Sequence, residues 1–278
     1  MAVKVVTDSG SDIPQELANE LGIEIVPLKV RFGEESFTDR KELTYDLFYE
    51  KMAKSEHVPV TSLPSPQDFI DAFEKIGWEN EIICVTISSS ISGTFQSATL
   101  AKNMLKDYSI EVIDSKSLSM VTGRLALIAH EMAEKGKGFS EIVFKLKEIA
   151  QDMHAYILID DLKNVIKGGR ISNWKGSIAQ VFQIKPILYM TKEGEVHVRE
   201  NVRGRKRQLK RIVDIIEKDG KNLSKYPLYI LHAQAKEEEL NFVKEEIENR
   251  LKPKEIIIYT LGPIMGSHGG FGTIGFVY

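Results

Sequence analysis

Short apolar runs alternate with amphipathic segments through the first two thirds of the chain, and this alternation constrains the fold more than any other feature. A run rich in Val and Ile is a buried strand, and a helix placed between two such strands carries the chain back so that they lie parallel. Ala2–Thr7, Glu24–Val30, Glu81–Ile87 and Ile110–Asp114 read as strands. Pro14–Leu21, Tyr45–Lys54, Pro66–Ile76, Gly93–Lys106 and Ser119–Glu134 read as helices. Ser65-Pro66-Gln67-Asp68 supplies a cap, a proline for the first turn and an acid for the third position.

After a further helix over Phe139–Gln151 the pattern changes to strand and turn units: Tyr156–Asp160, Lys185–Met190, Val196–Arg199, Leu228–His232, Glu255–Leu261 and Thr273–Tyr278. The turn Lys192-Glu193-Gly194-Glu195 inside Ile187–Arg199 predicts a hairpin, hence antiparallel pairing. A chain of 278 residues also exceeds the usual single-core size of roughly 100–200. The expectation is a two-domain α/β protein. Its N-terminal domain (1–152) carries a parallel sheet and its C-terminal domain (153–278) a mixed or antiparallel one.

The 37 basic and 40 acidic side chains give a net charge of −3, so no global field attracts nucleic acid or an anionic membrane. Any basic function must be local. The single cysteine, Cys84, excludes an internal disulfide framework and a multi-cysteine metal site, and its setting in Ile82-Ile83-Cys84-Val85 predicts a buried strand residue. No signal-peptide pattern and no apolar stretch of about 18 residues is present, which predicts a cytoplasmic protein with at most transient membrane contact.

Four segments carry residues suited to chemistry. In Ser92-Gly93-Thr94 hydroxyls and unpaired backbone N–H groups meet at the start of a helix, which is either an anion site or a plain helix cap. Thr61-Ser62, before Pro64, either faces a ligand or shapes the turn. His268 lies in the glycine-rich run Gly262–Val277, where backbone can approach a ligand closely and a packed core is not expected. Lys167-Gly168-Gly169-Arg170-Ile171-Ser172 reads as a helix end that leaves Arg170 on a mobile, exposed loop. The carboxylate-rich Asp8-Ser9-Gly10-Ser11-Asp12 reads as a turn and cap.

Together with Pro59–Pro66, Ser88–Ala98 and Gly262–Val277, these segments resemble the bacterial DegV family, over nearly the whole chain and in the same order. The resemblance implies a fatty-acid-binding protein that serves as the substrate-carrying subunit of an ATP-dependent fatty-acid kinase, with no cofactor and with the bound fatty acid as ligand. It assigns Thr61, Ser62, Ser92, Gly93 and His268 to the carboxylate, and Arg170, Arg203 and Asp39 to phosphoryl transfer or kinase docking. The residue types suit that task, since a buried carboxylate requires donors in place of its water. A chain of about fifteen methylenes favours burial by on the order of 12 kcal/mol before the costs of binding. Leu63, Phe95, Val121 and Phe271 depart from residues usual in the family and leave chain preference open.

Three other readings compete with the kinase-coupled one. A lipid carrier without kinase coupling uses the same residues. A Ser92–His268 hydrolase has the residue types but no obvious orienting acid. A nucleic-acid-binding regulator would use the basic stretch Arg203–Arg211, yet Leu209, Ile212, Val213 and Ile216 recur there at helical spacing and suggest a packed helix with a wet face. The glycines of Gly270–Val277 mimic nucleotide-binding loops but lack the helix or lysine strand that such loops need, and no Walker A sequence occurs, so ATP is expected on a separate kinase.

Overall fold

Strands and helices alternate through the N-terminal half, as the patterning requires. The computed structural model describes residues 1–160, 162–171 and 184–278, which leaves Ser172 outside the described residues. The order is β1 (Val3–Asp8), α1 (Gln15–Leu21), β2 (Glu24–Val26), β3 (Lys29–Phe32), β4 (Glu35–Thr38), α2 (Tyr45–Lys54), β5 (Val60–Ser62) and α3 (Pro66–Ile76). Next come β6 (Glu81–Thr86), α4 (Thr94–Met104), β7 (Ser109–Asp114), α5 (Met120–Glu134) and α6 (Phe139–Ala150). The remainder is β8 (Ala155–Leu158), α7 (Lys163–Lys167), β9 (Ile184–Met190), β10 (Val196–Arg203), α8 (Arg205–Lys218), β11 (Pro227–His232), α9 (Glu237–Arg250), β12 (Glu255–Thr260), α10 (Pro263–Gly269) and β13 (Ile274–Val277).

The fold is α/β. A parallel sheet of order β2-β1-β6-β7 lies between α3 and α4 on one face and α5 and α6 on the other. Alternation assigns the side chains: Val6, Ile82 and Cys84 face one layer, and Val5, Ile83 and Val85 the other. Cys84 is fully buried, and burial pushes its thiol up, which makes it inert. A mixed sheet of order β10-β9-β8-β13-β11-β12 is antiparallel except where β11 meets β12. One face packs on α8 and α9 through Leu158, Ile230 and Phe276. The opposite face, with Ala155, Leu231 and Val277, closes on the layer beneath the parallel sheet. Among the described residues no helix is long and apolar enough to cross a membrane.

Three sequence expectations need correction. Glu24–Val30 is not one strand: Pro27 has no N–H to donate, and Leu28 donates to the Ser9 hydroxyl at 3.0 Å, so the chain leaves the parallel sheet. β3 instead forms a small antiparallel sheet with β4 and β5, and the whole of that sheet is new relative to the patterning. Helix α9 has only Val243 and Ile247 buried, too narrow a stripe to read, while Glu237, Glu238 and Glu239 complement its N-terminal dipole. The glycine-rich run is mostly core rather than an open loop. At Gly266 a Cβ would stand 2.7 Å from the Phe48 ring and 2.9 Å from the Tyr49 hydroxyl, so the glycine is what lets α10 lie against α2.

Asp8–Asp12 does form a turn, and its two carboxylates also fasten the layers. Asp8 accepts from Gly10 N at 2.9 Å and from Ile87 N at 2.8 Å, which ties the ends of β1 and β6. Asp12, held at φ 56°, accepts from the Ser119 hydroxyl at 2.5 Å and from Gly262 N at 2.9 Å. The second bond secures the segment that begins α10. Asp12→Ala strands both buried donors and is expected to lower stability by about 2–4 kcal/mol in urea unfolding; no change would mean that water or a neighbour replaces the carboxylate.

Candidate functional site

A cavity of about 330 Å3 lies between the mixed sheet and the N-terminal half, and most of its wall is aliphatic. Thr61, Ser62, Ser92, Arg170 and His268 all line it. They arrive from four separate parts of the chain, with Thr61 and Ser62 together in β5. Thr61 sits in β5 opposite Val30, Ser92 precedes α4, Arg170 follows α7, and His268 lies in the last turn of α10. The sheet supplies one side of the wall through Ile157, Leu188, Leu231 and Val277.

His268 is hydrogen-bonded at one ring nitrogen and closely packed at the other. Nε2 lies 2.9 Å from the Thr61 hydroxyl. On the other side the backbone at Gly168 comes so close that a Cβ there would stand 2.5 Å from Nδ1. Gly168 is therefore a packing requirement of the imidazole rather than a hinge. His268 keeps some exposure because it faces the cavity, yet protein surrounds it closely. Burial first, and the Arg170 charge second, push its pKa down from 6.5 to about 4. The ring is neutral at pH 7, with one N–H donor and one acceptor.

Ser92 lies one residue before the N-cap of α4 and does not cap it. Its hydroxyl pairs with Thr94 Oγ1 at 2.8 Å and accepts from Thr94 N at 3.3 Å, a local turn, while the residue lines the cavity. The N-terminus of α4 thus opens beside the polar end and favours an anion there. Gly93 does not line the cavity; it is half-buried at the N-cap position, where its open side meets the Leu63 side chain.

Arg170 is not on an exposed loop. It is half-buried, with Nε donating to Ile91 O at 3.3 Å and Nη1 donating to Gly168 O. Asp39 and Arg203 stand apart from the cavity lining. Asp39 is fully buried, and among the described residues neither of its oxygens has a well-formed hydrogen bond, although Arg40 and Ser9 are neighbours. Arg203 is exposed at the end of β10, opposite Ile184.

Two polar residues of the wall have no counterpart in the sequence reading. Ser119, at φ 51°, lines the cavity while its hydroxyl is committed to Asp12. Thr273 is 1% exposed and also lines the cavity, while its hydroxyl is buried and has no partner among the described residues. The one available signal was a hydroxyl residue inside a run of glycines. The hydrolase geometry is absent from these contacts: Ser92 bonds to Thr94 and His268 to Thr61, not to each other. Two cations of the basic stretch are occupied within the chain, Arg205 with Glu239 at 2.8 Å and Arg211 with Glu200 at 2.6 Å, while Leu209, Ile212, Val213 and Ile216 are buried beneath it.

The profile of the DegV family, described as "Uncharacterised protein, DegV family", matches residues 2–278. A DegV domain-containing protein of Listeria innocua is 33% identical, with 99% of this chain and 98% of that protein covered. Among solved structures, a DegV-family protein of Ruminococcus gnavus with vaccenic acid superposes with a TM-score of 0.91 at 28% identity, over 100% of both chains. DegV of Bacillus subtilis, described as a fatty acid binding protein, has a TM-score of 0.89 at 31% identity, over 100% of this chain and 98% of that one.

Two titrations follow from burial. In lipid-free protein, the imidazole of His268 should titrate near 4 by NMR rather than at 6.5. Its contribution to stability is complete above 6.5 and declines as the pH falls toward about 4, because the unfolded chain takes up the proton first. Asp39 has the opposite sign. Burial raises it from 3.8 to about 6, so its contribution is full below 3.8 and is lost as the pH rises through about 6. Asp39→Asn should flatten that decline in melting temperature, and an unchanged profile would assign the decline to other groups.

Proposed function

The chain belongs to the DegV family, and from that membership and the form of the cavity we propose that it binds one long-chain fatty acid and presents the carboxylate to a separate ATP-dependent kinase. One observation carries the reading: an aliphatic cavity between the two halves ends in a cluster of hydroxyls, a neutral imidazole and an arginine. Fatty-acid binding by the relatives from Ruminococcus gnavus and Bacillus subtilis supports the same ligand class.

In this reading residues 1–152 hold the head group with Thr61, Ser62 and Ser92. Residues 153–278 add His268, Arg170 and the sheet face along which the acyl chain lies. Donors replace the water that the carboxylate loses, and the charge of Arg170 offsets its own. A carboxylate beside His268 favours the charged ring, so binding raises the imidazole pKa from its lipid-free value. Gly93 acts through the start of α4 rather than by touching the acid. Arg170 has a second task, to stabilise charge as phosphate is transferred to the carboxylate. Nucleotide and metal belong to the kinase. Asp39, enclosed in protein, serves the fold.

Native mass spectrometry of purified protein, followed by denaturing extraction, tests the ligand. A stoichiometric long-chain acid is the expected result. Lipid-free protein that also fails to take up added fatty acid would overturn the proposal. Arg170→Ala tests the second step: with the kinase added, acyl-phosphate formation should fall at least about tenfold while most fatty acid is retained. Equal loss of both would make Arg170 a lipid contact alone.

A further inference from the structure

The mixed sheet presents one row of side chains to the cavity floor across four strands, and the row has a gap. Leu231 on β11 stands opposite Gly275 on β13, Gly275 opposite Ile157 on β8, and Ile157 opposite Leu188 on β9. Directly opposed residues project from the same face of a sheet, and all four line the cavity. The second position of the row therefore has no side chain, and a trough runs between Leu231 and Ile157. Val277 projects from the same face of β13 beyond the gap, Thr273 stands just before the strand, and both also line the cavity. At about 3.4 Å per residue, the gap lies roughly 7 Å beyond Thr273.

Neither backbone nor packing requires this glycine. Its φ is not in the left-handed region, and a Cβ would meet nothing closer than Leu231 at 3.8 Å, an ordinary contact. Gly266 and Gly168 differ, since a Cβ at either would collide with a neighbour at 2.7 Å or less. Glycine is also a poor strand residue, with higher entropy in the unfolded chain and nothing to pack. Local stability would favour Val or Ile at position 275. What the absent side chain provides is cavity.

We propose that Gly275 sets how much acyl chain the cavity admits: its missing side chain is the trough through which the chain passes from the polar end to the Val277 and Ala155 end. The inference rests on the fatty-acid reading and adds the residue that measures the chain. Gly275 touches the ligand only by leaving room, so each carbon added to its side chain removes room for ligand carbon.

A graded series tests it: Gly275→Ala, Gly275→Val and Gly275→Leu, each delipidated beside the parent. Each is equilibrated with an equimolar mixture of decanoic, myristic, palmitic and stearic acids and read by native mass spectrometry. The bound population should shorten stepwise along the series, and exclusion of two methylenes shifts the ratio of palmitic to decanoic acid by about tenfold. Melting temperatures of lipid-free Gly275→Ala and Gly275→Val should equal or exceed the parent's, which a structural role for Gly275 would not produce. An unchanged distribution with the parent loaded overturns the proposal and leaves fatty-acid binding standing. Parent and variants alike taking up no acid would overturn the binding reading and this one with it. If Gly275→Leu misfolds, the Ala and Val members decide.

Discussion

The structure depends on one buried carboxylate. Asp12 leaves the turn after β1 and takes hydrogen bonds from Ser119, which opens α5, and from Gly262, which opens α10. It thus joins the parallel sheet, the helical layer beneath it and the helix that delivers His268. No apolar contact does this, because dispersion does not specify register, whereas a carboxylate between two donors fixes both in direction and distance. Desolvation raises Asp12 to about 7, so the tie carries strain in its charge state, which the two donors and the nearby Arg40 charge partly offset. Arg40 completes the cluster by donating to Ile13 O at 2.5 Å and to the Tyr45 hydroxyl at 3.2 Å.

The polar end of the cavity is assembled by the same means. His268 depends on α10, hence on Gly262 and Asp12, and its ring is then trapped between Thr61 and the Gly168 backbone. An imidazole so enclosed sheds its proton, and among the described residues of the cavity lining Arg170 is the one formal cation beside neutral donors. That balance suits a monoanion. In the proposed carrier role, a second fixed cation would hold a carboxylate or its phosphorylated product too firmly for release, while neutral donors alone would leave the ion poorly compensated.

The parallel sheet and its helices were legible because each strand and helix keeps its own period: Val5 and Val6 face opposite layers, and the capping box at Ser65 and Asp68 marks the start of α3. The break at Pro27 was less so, since proline weakens a strand without saying where the chain goes next, and the partner of Leu28 is Ser9, distant in sequence. Among candidate residues, hydroxyls before a helix and a histidine among glycines were visible by type and local spacing. Arg170 was visible as a residue but not in its posture, because the carbonyl of Ile91 that holds it belongs to another segment. Gly275 illustrates the limit. Its sequence neighbours class it with every other glycine of the run, and only the register of four strands shows that nothing stands where its side chain would be.

On the fatty-acid reading, that register also separates two demands on the ligand. The head is met by donors from loops and helix ends, whose geometry is fixed by long-range hydrogen bonds and tolerates little change. The chain meets a sheet face, where a side chain can be exchanged without disturbing backbone pairing, because ladder bonds involve no side-chain atoms. Chain preference can therefore drift while head-group chemistry stays constant. The departures at Leu63 and Phe271 lie on the other side of this division. Leu63 is 48% exposed at the cavity rim, and Phe271, 41% exposed, packs its ring 5.8 Å from that of Tyr49 beside α10. Leu63 lines the cavity and Phe271 does not, so substitution at Leu63 alters the cavity rim more than the length of chain that fits, and neither residue stands on the sheet face that forms the floor.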